Sequence, residues 1–175
     1  MQVSRTLLEL GLGPLIEAQW IHENLSDVVG AEPPFLIKPL IEHFGLEVDS
    51  YPIRGEMGGC LLHDGDRHYI LVNHRQPLTR RRWSAAHELY HYLAHRWRLA
   101  PFTGKVPTSP EHLRLEAEAN AFAAELLAPA GWTIYHWRRL QRIRPCAEAF
   151  ALSITAMTRR LSELGLLRRR GPARW

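Results

Sequence analysis

The sequence predicts an α+β fold: a mainly helical core, one small antiparallel sheet, and a C-terminal helical unit with a helix-turn-helix look. Three observations carry this reading. Glu111–Leu127 is rich in Ala, Glu and Leu, which favours helix. Two apolar runs, residues 59–63 and 67–73, are joined by Asp64-Gly65-Asp66, a hairpin-turn signature. Residues 132–175 are again helical in pattern, and basic. The chain divides accordingly into a domain over 1–131 and a smaller helical unit over 132–175 packed on it.

Taken in order, residues 3–29 predict helix, interrupted at Gly11-Leu12-Gly13-Pro14. Pro33-Pro34 opens the next element, where Leu36, Ile37, Leu40, Ile41 and Phe44 recur at helical spacing. Pro39 bends that helix or delays its start, and Gly45 caps its end. Leu46–Ile53 alternates in part and reads as strand. Within 67–73, Tyr69, Leu71 and Asn73 share one face, and Ile70 and Val72 share the other. Leu78 to about Trp97 is helical, with Trp83, Ala86, Leu89, Tyr90 and Leu93 as its apolar stripe. Ala100–Pro110, with four residues of Pro or Gly type, is a loop. Pro129-Ala130-Gly131 ends the Glu111–Leu127 helix, and Arg144-Pro145 breaks the C-terminal region.

Composition narrows the function classes. The 175 residues are 46% hydrophobic and 23% charged, ordinary values for a globular protein. No apolar run approaches the ~20 residues that cross a bilayer, so a membrane partner is not expected. The N-terminus leads into an amphipathic segment, not a secretory one. Cys60 and Cys146 stand far apart and read as thiols in a reducing cytoplasm. A net charge of +4 permits an acidic partner without requiring one.

Chemistry concentrates at His87-Glu88-Leu89-Tyr90-His91, an H-E-x-x-H pattern inside predicted helix. Histidines at i and i+4 lie one above the other on one helix face and can share a cation, usually zinc. Manganese or iron suits the same donors. Glu88 sits at the edge of that face, where a carboxylate can act as general base toward a water that the cation activates. His95 extends the histidine column but lies about 12 Å along the helix from His87, too far to share its metal. It reads as an exposed histidine or as one that supports a ligand.

A hydrolytic zinc site wants a third protein ligand. Glu116 and Glu118 are the candidates, and about 200° of helix rotation separates them. Glu118 shares its face with Leu115 and Phe122. Glu116 shares a wetter face with His112, Asn120 and Ala123. A ligand must point toward the other helix, and this reasoning selects Glu118.

The pentapeptide together with Glu116-Ala117-Glu118-Ala119-Asn120-Ala121-Phe122-Ala123-Ala124-Glu125-Leu126-Leu127-Ala128-Pro129 resembles the ImmA/IrrE family of zincin-like metallopeptidases. That family pairs H-E-x-x-H with a downstream E-x-E-A-N-x-F-A-x-x-L-L-x-P block. Its strand ending in Val-Asn ahead of the metal helix is matched by Leu71-Val72-Asn73. The resemblance spans residues 33 to 165. It implies Glu118, the glutamate before Ala-Asn, as third metal ligand. Tyr90 departs from the family's glycine, and there it either narrows the site or supplies a hydroxyl. Ala128 replaces a frequent methionine.

What the resemblance implies is a zinc endopeptidase that cleaves an XRE-type helix-turn-helix repressor and so relieves repression of stress-response or mobile-element genes. Tyr90, His95 and His136 are candidates to stabilise the oxyanion. Asn73 is a candidate substrate contact, with a substrate strand adding along the edge of 67–73.

In the C-terminal unit, a short helix, a turn near Leu152-Ser153 and a second helix bearing Met157, Leu161 and Leu164 form the helix-turn-helix look. Arg159, Arg160 and Arg168-Arg169-Arg170 make it basic. DNA contact is the weaker reading, because no Asn or Gln lines the second helix to read base edges. A buttressing helical unit with a solvated basic tail is the plainer one. The alternatives to a peptidase are a DNA-binding regulator, or a toxin–antitoxin-type partner protein, whose metal site is structural or vestigial. Glu88 argues against both, since a structural zinc needs no base.

Overall fold

A computed structural model describes residues 12–55, 57–65, 67–95 and 109–167. The Ala100–Pro110 loop, apart from its last residues, lies outside them, as do the Arg168–Arg170 run and the residues before Leu12.

The architecture is α+β, with eight α-helices and one three-stranded sheet among the described residues. Helix α1 (Pro14–Asn24) starts where Gly13, at φ 97°, turns the chain and proline occupies the first turn. A single turn, α2 (Ser26–Val29), leads to α3 (Ile37–His43). Pro39 falls in the first turn of α3, where its missing N–H is not needed, so the helix starts late instead of bending. Gly45 (φ 80°) ends it as expected, with Gly45 N–H donating to Glu42 and Leu46 N–H to Ile41.

The sheet comprises β1 (Glu47–Tyr51), β2 (Gly59–Asp64) and β3 (Arg67–Asn73), in the order β1-β3-β2. The hairpin is there: β2 and β3 pair antiparallel about Gly65, with Leu61 opposite Ile70. The sheet as a whole is mixed, because β1 runs parallel to β3, with Glu47 opposite Tyr69 and Tyr51 opposite Asn73. Strand β3 is therefore central and both its edges are paired. The substrate strand expected along 67–73 has no edge there to join, and among the described residues the unpaired edges belong to β1 and β2.

Ile70 and Val72 point into the core, where α4 (Leu78–Tyr90) packs on the sheet. The helix does not run unbroken to Trp97. From His91 to His95 it continues as a π-turn, a form common at functional sites. Helix α5 (Pro110–Leu127) is capped by Ser109, whose hydroxyl accepts from His112 N–H, and packs against both α1 and α4. Phe35, Phe122, Phe150, Leu40, Leu89 and Leu126 are fully enclosed at these junctions.

Three helices follow: α6 (Ala130–Leu140), α7 (Ile143–Ala149) and α8 (Ile154–Glu163). The break expected at Arg144-Pro145 falls earlier, at Gln141, whose φ is 49°; Pro145 sits harmlessly in the first turns of α7. Ser153 caps α8, which turns Met157 and Leu161 inward. Arg160 also turns inward. Its guanidinium pairs with buried Glu125 of α5 and donates to the Ala128 carbonyl at 2.9 Å. That side chain is a clamp between α8 and α5, not a surface cation. Among the described residues no helix is long and apolar enough to cross a membrane.

Candidate metal centre

Helix α4 brings His87 and His91 together as the i, i+4 spacing requires. Their Nε2 atoms are 3.0 Å apart. Helix α5 supplies the carboxylate, and it is Glu116. Its Oε1 lies 3.1 Å from His91 Nε2 and its Oε2 3.3 Å from His87 Nε2. His87, His91 and Glu116 each present one donor atom within 4.8 Å of the others. Ligands held at about 2.0–2.1 Å around a tetrahedral zinc stand about 3.3 Å apart. Two imidazoles and one carboxylate at these separations therefore fit such an ion with one position left for water.

This corrects the choice of Glu118. Glu118 Oε2 meets His95 Nε2 at 2.9 Å, and its Oε1 accepts from Arg114 at 3.2 Å. The inward-facing argument failed because the α5 carboxylate that meets the histidines is the more exposed of the two. Glu116 keeps 37% of its side chain exposed, against 28% for Glu118. A wet face is what a site that admits water and substrate needs. The signal was present in the sequence as His112, Glu116 and Asn120 in one i, i+4 column. His112 Nε2 lies 3.6 Å from Glu116, and Asn120 hydrogen-bonds His87.

Electrostatics follow from the arrangement. Hydrogen bonds from His87 and His91 hold the Glu116 carboxyl far below the usual carboxylate range. Burial alone would lower the His87 pKa, but Glu116, the Glu88 charge and Asn120 outweigh it and raise it. Glu88 is half-buried between α4 and β2, close against Gly59. Burial is the main cause that raises its pKa, and the two histidines oppose it. A carboxylate so placed suits a base that must return its proton. Cys60 lies near enough for the Glu88 charge to push its thiol up, after burial, and both cysteines are free.

The remaining candidates lie elsewhere. Tyr90 neither narrows the site nor lends it a hydroxyl. It is buried, stacked on Phe122 with ring centroids 4.7 Å apart, and its hydroxyl points toward Glu17. Asn73 is a latch within the scaffold: its amide donates to the Ile53 and Met57 carbonyls, each at 3.1 Å, and its oxygen accepts from Arg75 N–H. It fixes the loop that delivers Gly58 and Gly59 to the helix. His136 packs among Trp132, Tyr135 and Phe150 on the C-terminal helices. His95 is buried in the π-turn, with its Nδ1 3.0 Å from His91 Nδ1. It touches His91 and stands outside the His87, His91 and Glu116 group.

A two-histidine, one-carboxylate donor set beside a half-buried glutamate is the equipment of a metal-dependent hydrolase. The sequence carries the assignment further. Residues 41–162 match the Peptidase M78 family, described as the IrrE N-terminal-like domain, and the chain belongs to that metallopeptidase family. A solved structure described as a Mycobacterium tuberculosis transcriptional regulator shares the fold, with a TM-score of 0.56 at 17% identity. The alignment covers 98% of this chain and 49% of that one, so the chain spans about half the length of its structural neighbour. No curated protein matches the sequence.

Proposed function

We propose that this protein is a zinc-dependent endopeptidase that cleaves an XRE-type helix-turn-helix repressor in the cytoplasm, relieving repression of stress-response or mobile-element genes. The observation that carries the peptidase reading is Glu88, poised beside His87, His91 and Glu116, with glycine at 59 leaving room for it. His87, His91 and Glu116 would hold the metal, with manganese or iron as substitutes. When bound, it polarises the scissile carbonyl and brings the pKa of water toward ~7.

The chain's own residues move the proton. Glu88 takes it from the attacking water, a transfer its raised pKa favours, and hands it to the more basic leaving amine. Asn120 and Glu116 orient His87. The substrate lies as an added strand along the unpaired edge of β2. Gly58 and Gly59 let the start of that strand lie close against Ser84 and Glu88 of α4, which brings the edge near the base. The repressor as substrate rests on the family resemblance.

Incubating the protein, zinc or manganese and the XRE-type repressor encoded beside it yields one clipped product. Glu88→Gln abolishes clipping and retains the metal. Equal cutting by Glu88→Gln would dismiss Glu88 as the base.

A DNA-binding role for α7 and α8 is the second reading, favoured by their helix-turn-helix arrangement and by exposed Arg138, Arg139, Arg142 and Arg144. The two arginines of α8 weaken it. Arg160 is buried on Glu125, and Arg159 is paired with Glu163 at 2.9 Å.

A further inference from the structure

Three side chains beyond the donor set form a continuous line behind His91. His91 Nδ1 lies 3.0 Å from His95 Nδ1, His95 Nε2 lies 2.9 Å from Glu118 Oε2, and Arg114 donates to Glu118 Oε1 at 3.2 Å. His91 and His95 are almost fully enclosed, at 4% and 2% exposure. Water therefore has little access to the imidazole–imidazole bond.

Donor and acceptor roles along this line follow from one end. The Glu118 carboxylate can only accept, so the proton between it and His95 sits on His95 Nε2. A neutral His95 with its proton there presents Nδ1 as an acceptor. His91 must then donate from its own Nδ1. That leaves the lone pair of His91 on Nε2, the nitrogen 3.1 Å from Glu116 and 3.0 Å from His87. The line and a metal at Nε2 therefore ask for the same tautomer of His91, while in the metal-free protein the Glu116 carboxylate, 3.1 Å from Nε2, accepts there and competes with the line.

We infer that Glu118 and His95 are positioning residues for the metal centre: the Arg114–Glu118–His95 line locks His91 in the tautomer that offers Nε2 to a metal. The π-turn serves this. It begins at His91 and carries His95 to that residue's far side, in contact with the ligand and not with the metal. Histidine ligands commonly donate their second N–H to a carboxylate or carbonyl; here a second histidine stands between ligand and carboxylate. The inference rests on the reading of His87, His91 and Glu116 as a metal site. It assigns to Glu118 a role other than the ligation its place in the sequence suggests.

The test compares wild type with His95→Phe, Glu118→Ala, Glu118→Gln and Glu116→Ala. Zinc affinity is read by competition with a chelator, and the His91 tautomer by nitrogen-15 chemical shifts in zinc-free Glu116→Ala, where no Glu116 carboxylate accepts from His91 Nε2. Unfolding temperature of the zinc-free protein controls for folding. Glu118 is partly exposed, so its variants stay informative if His95→Phe fails to fold. Expected are a single Nδ1–H tautomer of His91 in Glu116→Ala and a mixture when His95→Phe or Glu118→Ala is added to it. Zinc affinity falls roughly 10–100-fold in the single variants His95→Phe and Glu118→Ala. Glu118→Gln, which still accepts from His95, falls less, and Glu116→Ala falls most.

Unchanged affinity in both His95→Phe and Glu118→Ala, with an unchanged His91 spectrum when either is added to Glu116→Ala, would overturn the inference. So would loss of zinc in Glu118→Ala with full binding in Glu116→Ala, which would make Glu118 the ligand. If wild type and Glu116→Ala bind zinc equally poorly, the metal reading is what fails. The tautomer measurement then still upholds or refutes the line of hydrogen bonds.

Discussion

Glu17 carries a carboxylate into the interface between α1 and the metal-binding half of the fold. It is 2% exposed, and neither oxygen has a partner at good hydrogen-bonding geometry among the described residues. Burial raises its pKa above 4.5; the nearby Tyr90 hydroxyl offsets part of this, and the Glu118 charge adds to it. The raised value means that the native state holds this proton more tightly than the unfolded chain. Stability from Glu17 is thus fully present below pH 4.5 and lost as pH rises through the folded pKa. Glu17→Gln removes the charge and keeps the shape. Thermal unfolding should show the variant more stable than wild type at pH 7–8, with the gap closing toward pH 4. A gap that stays constant with pH would show that Glu17 is not the titrating group. Glu125, equally buried, poses no such cost, since it accepts from Ala130 N–H and pairs with Arg160.

At the scale of elements, the approach of β2 to α4 decides the site. A methyl group on Gly59 would stand 2.9 Å from the Leu71 carbonyl of β3 and 3.3 Å from Glu88 Cγ. The carbonyl is backbone and cannot step aside, so Gly59→Ala must push β2 away or displace Glu88. The expected cost is about 1–3 kcal/mol of stability. The more telling result is a fall in kcat with zinc content unchanged, checked by assaying metal and turnover on the same preparation. Full turnover would mean that the strand absorbs the change.

The same scale shows where sequence reading stops. The hairpin of β2 and β3, the Gly45 cap, the α5 helix and the i, i+4 histidine pair were legible, because each is fixed by residues near in sequence. The parallel pairing of β1 was not. A strand's own residues state which side is apolar, but not the direction of its partner. The π-turn was invisible for a related reason, since His91–His95 has ordinary helical composition. Glu116 was visible and misjudged: burial marks a core residue, and this carboxylate keeps 37% of its side chain exposed.

Across the whole molecule, the C-terminal helices share the hydrophobic core of the metal-binding part, and a buried ion pair crosses between them. Glu125 sits on α5, nine residues along from Glu116, a count read directly from the sequence. Arg160 reaches it from α8 and also holds the Ala128 carbonyl. Arg160→Met leaves Glu125 charged and unpaired, a loss of about 3–5 kcal/mol. Because the pair bridges α5 and α8, denaturant unfolding of the variant should remain a single transition at lower midpoint. Separate unfolding of α6–α8 ahead of the rest would show that the C-terminal unit is independent.

The central claim is that a metal sits among His87, His91 and Glu116, two turns of one helix and one side of another. The most direct measurement is an anomalous-difference map at the zinc edge from crystals of the zinc-loaded protein. The account predicts one strong peak within bonding distance of His87 Nε2, His91 Nε2 and a Glu116 oxygen, with Glu118 bonded to His95 and not to the metal. A peak coordinated by Glu118, or none at the histidine pair, would contradict it.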